Sequence, residues 1–346
     1  MAKILFTGAS GKQHNDKADA RAKINRINDS TIIINSLKKS GHTVERKKVT
    51  WTDDLSEYDI GIVGIGSLGS PNYANMMNAL YAISALDKVI IFHEDWKIQG
   101  TMKGLKSSID KLEKMLKKQW ANGNYLYDDA DKADINVLQK VMQDIIDGKY
   151  PVLIPGYDWG NKQIIADILN IKKEHVNNID LSPYVLQSIY KDPCYSGRTQ
   201  IPEDRELKYM LAALTDNRPW VKKLKLTYEV DYFGCKAIET AEILEDELAV
   251  FETMNNYWGV LCPAYPQAGS GWFRMRFMYS ALNKNIMVMD KQDCDALNIP
   301  HITKIEDYSL EDLQEIAEQQ SQAILKYSTS IDQFDAKINS IVEKYL

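Results

Sequence analysis

The chain has 346 residues, 45% hydrophobic, 10% aromatic and 26% charged. That suits two globular domains of roughly 100–200 residues each and argues against a disordered or fibrous chain. The formal net charge of −6 mildly opposes nucleic acid as a partner, although net charge hides local patches. No apolar run reaches the ~18 residues of a membrane span.

The opening MAKILFTGAS reads as a first strand and not as a signal peptide, because its apolar part is short and no cleavage pattern follows. Cys194, Cys235, Cys262 and Cys294 stand far apart with no CxxC pair, which predicts reduced thiols, a cytoplasmic setting and no zinc site.

Lys3 to Phe6 predicts a buried strand, followed by Thr7-Gly8-Ala9-Ser10-Gly11. Small residues after the first strand of an α/β domain let a ligand approach the backbone, which marks Gly8. Lys12 to Asn25 reads as an exposed loop. A helix follows from Asp29 to Ser40, closed by Gly41. Thr43 to Thr50 is a mixed strand, and Ile60 to Ile65 a buried one ending in Gly66-Ser67-Leu68-Gly69-Ser70. Pro71 to Leu86 is a helix and Lys88 to Phe92 a fourth strand.

This alternation with short loops predicts a parallel sheet covered on both faces, with ligands beyond the carboxyl ends of its strands. Among those strand ends, His93-Glu94-Asp95-Trp96 carries the most chemistry, because a carboxylate at a strand tip can act as general base.

Met102 to Lys118 follows, where six lysines stand against Asp110 and Glu113. A second basic cluster is Arg218, Lys222, Lys223 and Lys225. Asp131 to Gly148 has apolar residues at Ile135, Leu138, Val141, Met142 and Ile145, at helical spacing. Pro151 to Pro155 is a strand, Asn161 to Leu169 a helix and His175 to Leu181 a last strand. Ser182-Pro183 opens the connection to a second half.

That half repeats the architecture without repeating the sequence. Asp192 to Thr199 is turn-rich and Glu203 to Leu214 helical. Leu224 to Val230 is strand-like, Tyr232-Phe233-Gly234 a turn, and Ala241 to Phe251 a helix. Ile302 to Ile305 reads as a short strand and Leu310 to Tyr327 as a helix. Ile331 to Tyr345 closes the chain with Phe334, Ile338, Ile341 and Val342 at helical spacing.

Tyr257 to Asp290 is the most informative stretch. It divides into an apolar strand (Trp258 to Pro263), a small-residue loop (Ala264 to Gly271), a helix (Trp272 to Asn283) and a second apolar strand (Ile286 to Met289). Strand, glycine loop and helix N-terminus make an anion site, because unpaired N–H groups and the helix dipole point at the turn. Arg274 and Arg276 in the first helical turn add paired donors suited to a phosphate. The loop, with Ser270 and Gly271, is neither a Walker loop nor G-x-G-x-x-G.

These segments resemble a known family. Two doubly wound domains with a phosphate site on a late helix of the second are the plan of two-domain nucleotide-sugar glycosyltransferases. The local segments resemble the bacteriophage DNA β-glucosyltransferases, which sugar 5-hydroxymethylcytosine. Arg276 to Asp290 is similar to the family stretch where an arginine grips the diphosphate and a residue three further on meets the ribose. That residue is Tyr279 here, where the family carries a glutamate. A phenol can donate to a ribose hydroxyl but cannot accept bidentately as a carboxylate does. Ser196-Gly197-Arg198, with Arg205 downstream, resembles the family segment that also contacts the diphosphate. Thr240-Ala241-Glu242-Ile243 resembles the place where backbone groups read the uracil. Phe92-His93-Glu94-Asp95 resembles the strand end bearing the catalytic aspartate, which selects Asp95 over Glu94.

The resemblance implies an α/β fold of two doubly wound Rossmann-like domains facing a central cleft (GT-B type). Residues 1–185, completed by helix 331–346, would form the acceptor (DNA) domain, and residues 186–330 the nucleotide-sugar domain. It implies transfer of a sugar, glucose or a pentose such as arabinose, from a UDP-sugar to 5-hydroxymethylcytosine in double-stranded DNA, with inversion.

Lys103, Lys106, Lys114, Lys117 and Lys118 would hold DNA phosphates, and the target nucleotide would be flipped out, with Trp96 or Trp120 as wedge. The chemistry requires no metal if the arginines carry the leaving group, although a divalent ion is compatible with it. The expected state is a cytoplasmic monomer without a membrane. Two other readings share the sequence: the same fold with a small-molecule, lipid or protein acceptor, and a two-domain receptor that closes on a ligand without catalysis.

Overall fold

The computed structural model describes residues 1–8, 29–50, 53–65, 73–93, 106, 135–155, 161–179, 204–212, 227–233, 247–262, 275–327 and 329–346. They form two compact units, one from the described residues of 1–181 and 330–346, the other from those of 182–329. Each holds one parallel sheet.

In the first unit the elements are β1 (Lys3–Thr7), α1 (Asp29–Lys39), β2 (Thr43–Arg46), β3 (Ile60–Gly64), α2 (Tyr73–Ala85), β4 (Val89–Phe92), α3 (Ile135–Ile146), β5 (Val152–Pro155), α4 (Asn161–Leu169) and β6 (Val176–Ile179). The six strands lie in the order β2-β1-β3-β4-β5-β6. β3 and β4 are buried at every position. A strand covered on both faces needs a continuous apolar run, and IGIVG and VIIF supply it. α3 turns Leu138, Val141, Met142 and Ile145 inward, the period that the sequence carries.

The second unit contains β7 (Glu206–Ala212), β8 (Val230–Phe233), α5 (Glu247–Met254), β9 (Tyr257–Cys262), α6 (Met275–Asn283), β10 (Ile286–Met289), α7 (Lys291–Leu297) and α8 (Leu310–Leu325). Its strands lie in the order β10-β9-β7-β8. Read from β8, that is the order of the first four strands of the other sheet. The second half therefore does repeat the architecture. β10 is an edge strand, and the buried side chain of Gln320 on α8 closes it. Met287 N–H donates to Gln320 Oε1 at 2.7 Å, and Gln320 Nε2 donates to Met287 O at 3.2 Å. One amide thus stands in for a neighbouring strand and blunts the edge.

The last helix, α9 (Ile331–Tyr345), starts on a capping box in which Ser330 and Gln333 each take the other's backbone N–H. Phe334, Ile338, Ile341 and Val342 are buried on its inner face. It belongs to the first unit, where Lys39 Nζ meets Asp335 at 2.7 Å and Lys344 Nζ donates to the Glu174 carbonyl at 2.9 Å. Ala2 N–H donates to His42 Nδ1 at 3.2 Å, so His42 Nε2 donates to Asn339 Oδ1 at 2.7 Å.

Several local expectations are corrected. Glu203 to Leu214 contains no helix among its described residues: Glu206–Ala212 is β7, paired with β8 on one side and β9 on the other. Glu, Leu, Lys and Met are good helix formers, and a short apolar run does not separate helix from strand by period. Pairing on both edges decides it. Tyr232 and Phe233 are strand and not turn, while β8 begins only at Val230. Ile302 to Ile305 is not a strand; a 3₁₀ turn spans Ile305–Asp307. α7 was not expected at all. The second strand stops at Arg46, short of Thr50. Lys12 to Asn25 and Asp192 to Thr199 lie outside the described residues.

Candidate functional site

In a doubly wound parallel sheet the ligand crevice lies beyond the carboxyl ends, where the strand order reverses direction. The first sheet reverses between β1 and β3, the second between β7 and β9.

At the first reversal stands Gly8, with φ +71°. A Cβ there would lie 2.5 Å from Gly64 O and 3.3 Å from Ala79 Cβ. Glycine is therefore required by the close approach of β1, β3 and α2, before any ligand is considered. The next strand end, after β4, begins with His93. It is 2% exposed, and its backbone N–H donates to Leu153 O at 3.0 Å. Burial pushes its imidazole down to about 3, so it is neutral throughout the physiological range. Glu94 and Asp95 follow directly but lie outside the described residues, as do Trp96, Trp120, Lys103, Lys114, Lys117 and Lys118. Lys106 is described as one exposed helical residue.

At the second reversal, β9 ends in the buried Cys262 and α6 begins at Met275. Arg276 sits in the first turn of α6, half-buried, and its Nη1–H reaches back to Leu261 O at 3.4 Å. The guanidinium is thus held where the helix N-terminus meets the end of β9. Both features favour an anion at this place. Tyr279, one turn further along α6, is 4% exposed and packs edge-to-face on Phe251 of α5, with ring centroids 6.0 Å apart. Its ring is committed to the contact between the two helices. Ser196, Gly197, Arg198, Ile243, Ser270, Gly271 and Arg274 lie outside the described residues.

Arg205 is corrected. It precedes β7 and lies at the amino edge of the second sheet, the end opposite Arg276. Its Nε–H donates to Asn255 O at 3.0 Å, Nη1–H to Lys284 O at 2.8 Å, and Nη2–H to both Asn255 Oδ1 at 3.0 Å and Asn283 O. The guanidinium also lies 5.6 Å from the Trp258 ring centroid. It is 7% exposed, and burial pushes it down to about 10, while the ring of carbonyls keeps it charged at neutral pH. Donors committed in this way, at this edge, are not placed to hold a diphosphate at the carboxyl edge.

Two things were missed in the sequence. One is the Arg205 cluster, whose only local sign is the asparagine-rich helix exits Asn255-Asn256 and Asn283-Lys284-Asn285. The other is the completeness of His93 burial. Among the described residues, no three His, Cys, Asp or Glu side chains are grouped to hold a metal ion. No described helix is long and apolar enough to cross a membrane.

No family model and no curated protein matches this sequence. Solved structures do. One is the DNA-modifying enzyme β-glucosyltransferase, studied with and without uridine diphosphoglucose. It aligns over 99% of this chain and 98% of its own, with a TM-score of 0.52 at 11% identity. The chain has that fold. A T4 phage β-glucosyltransferase holding UDP and Mn²⁺ aligns over 98% of this chain and 100% of its own, with a TM-score of 0.50 at 12% identity. The β-glucosyltransferase fold therefore spans the chain almost end to end, which bears out the α/β expectation of two parallel doubly wound sheets.

Proposed function

We propose that this chain is a glycosyltransferase that moves a sugar from a UDP-sugar to the hydroxymethyl group of a modified base in DNA, 5-hydroxymethylcytosine. The observation that carries the reading is Arg276. It stands in the first turn of α6 and reaches to Leu261 O at the strand-order reversal of the second sheet, in a chain with the β-glucosyltransferase fold. A helix N-terminus plus a guanidinium at a reversal point is a diphosphate-binding arrangement.

In this mechanism Asp95 accepts the proton of the acceptor hydroxyl. The hydroxyl oxygen forms its bond to the anomeric carbon from the face opposite the leaving group, and the carbon–oxygen bond to UDP breaks with its electron pair passing to the diphosphate. Arg276, Arg274 and Arg198, with the loop of Ser270 and Gly271, stabilise the charge that develops there. Ser196 and Gly197 complete the diphosphate cradle, and Ile243 holds the uracil through its backbone. Glu94 is the lesser candidate for the base. The lysines of 103–118 hold the DNA backbone, and the target base is flipped out of the duplex. Residues 186–330 then carry the donor, while 1–185 with α9 carry the acceptor. The arginines suffice for the leaving group, and the Mn²⁺ of the T4 enzyme's UDP complex makes added metal a variable to test.

The test incubates the protein with hydroxymethylated DNA and a panel of UDP-sugars, then weighs the released nucleosides. A mass increase of one sugar on the modified nucleoside is expected, and it should fall steeply with added salt because phosphate contacts release counterions. UDP binding with transfer only to small acceptors would overturn DNA as substrate. Absence of UDP binding would overturn the donor site.

A further inference from the structure

We propose that Arg205 is a positioning residue for nucleotide binding, acting through α6 on Arg276. The inference rests on the reading of the α6 N-terminus as the diphosphate site.

The two arginines occupy opposite ends of one sheet and are joined by one helix. At the amino edge, the Arg205 guanidinium gathers the carbonyls that leave α6 (Asn283, Lys284) and the residue that leaves α5 (Asn255). Helix C-termini carry unpaired carbonyls and a partial negative charge, so one buried cation satisfies both helices together. Asn283 Nδ2 donates to Phe251 O at 2.9 Å, and Asn285 Nδ2 donates to Met254 O at 2.8 Å and Tyr257 O at 2.6 Å. All of these bonds tie the exit of α6 to the exit of α5 and the start of β9.

α6 has no bend-forming residue between the pinned exit and Arg276: its sequence is MRFMYSALN. A short straight helix moves as a rod, so the axial setting of its C-terminus fixes that of its N-terminus. From Asn283 to Arg276 is about 10 Å along the axis. A slide of the rod would displace Arg276 from the end of β9. Displacements of about 1 Å in a binding constellation can cost up to about 100-fold.

Arg205→Lys keeps the charge but cannot reach four acceptors from one plane. We expect its UDP affinity, measured by calorimetry, to fall about tenfold with the circular dichroism unchanged. The decisive readout is a double-mutant cycle with Arg276→Gln. Sites this far apart normally act independently, so the loss caused by Arg205→Lys should persist in the Arg276→Gln background if the role is only general stability. Positioning predicts that it shrinks to less than about twofold there. Asn255→Ala removes the side-chain acceptor alone and should weaken UDP about threefold, so the question remains decidable if Arg205→Lys folds poorly. Equal losses in both backgrounds, or unchanged affinity in Arg205→Lys and Asn255→Ala, overturn the inference. Wild-type protein that binds no UDP overturns the reading beneath it instead.

Discussion

The two sheets share a strand order but not the equipment at their reversal points. At the first, Gly8 is pressed against Gly64, and the neighbouring strand β4 ends in a buried, neutral His93. At the second, a half-buried arginine and a helix N-terminus converge on the end of β9. Among the described residues, one topology thus ends in close backbone packing and a neutral imidazole in one unit and in an arginine in the other. The lesson is that the fold supplies the position of a crevice, while the side chains at its lip decide the ligand's charge.

The largest effect should come from chemistry after β4, in the first unit. Asp95→Asn keeps the shape but cannot accept the proton, and transfer should fall about 10²–10⁴-fold. UDP affinity measured on the same preparation should not change. Loss of both would mean that Asp95 serves the donor, and the division between the units would collapse.

The next effect belongs to the arginine at the end of β9. Arg276→Ala should weaken UDP about 10–100-fold, the size of one or two charge-assisted hydrogen bonds. Hydroxymethylated DNA, titrated separately, should bind as before. A variant that keeps its UDP affinity while losing DNA would exchange the roles assigned to the two units.

How much of this could be read from residues alone depends on how local the cause is. IGIVG and VIIF announce buried parallel strands because two-sided burial imposes a continuous apolar run. The inner stripe of α9 shows its period just as directly. β7 was misread because its identity comes from neighbours on both edges and not from its own seven residues. The misassignment of Arg205 has a similar origin. Its partners Asn255 and Lys284 lie 50 and 79 positions away, so no local pattern distinguishes it from an arginine turned to solvent or to a phosphate. The strand end and helix start that flank Arg276 were legible because they are close in sequence. On the acceptor side, Asp95 rests on its place after a strand and on the resemblance, and the lysines of 103–118 on their charge; all lie outside the described residues save Lys106.

The glycine at the first reversal gives a stability test. Gly8→Ala adds a methyl group at φ +71°, 2.5 Å from Gly64 O, so backbone strain and overlap should combine to cost about 2–3 kcal/mol. Gly41→Ala is the control. Its φ is +91°, but the added carbon would meet only the flexible Met1 side chain at 3.8 Å, and about 1 kcal/mol is expected. Urea midpoints of the two variants measure the difference. Equal losses would mean that Gly8 is there for its backbone angle alone, and the close approach of β1 to β3 would not be what demands it.

The smallest effect tests the neutrality of the imidazole after β4. His93 titrates at about 3 in the folded protein because burial disfavours the imidazolium, against an unfolded value of about 6.5. The folded-state value is the lower one. Above 6.5 neither state carries the proton and the site contributes its full stability. Below 6.5 the unfolded chain takes up a proton that the folded chain refuses, so stability falls as the pH drops, until the folded value is reached. The slope is about 1.4 kcal/mol per pH unit, which amounts to about 2 kcal/mol between pH 6.5 and pH 5. His93→Gln, which has no proton to gain, should lose that part of the slope whatever its absolute stability. Urea denaturation at pH 7, 6 and 5 for both proteins isolates the contribution, because the other histidines are common to both. If the two curves run parallel, His93 is charged or solvated when folded, and the contrast between the neutral imidazole after β4 and the arginine at the end of β9 is lost.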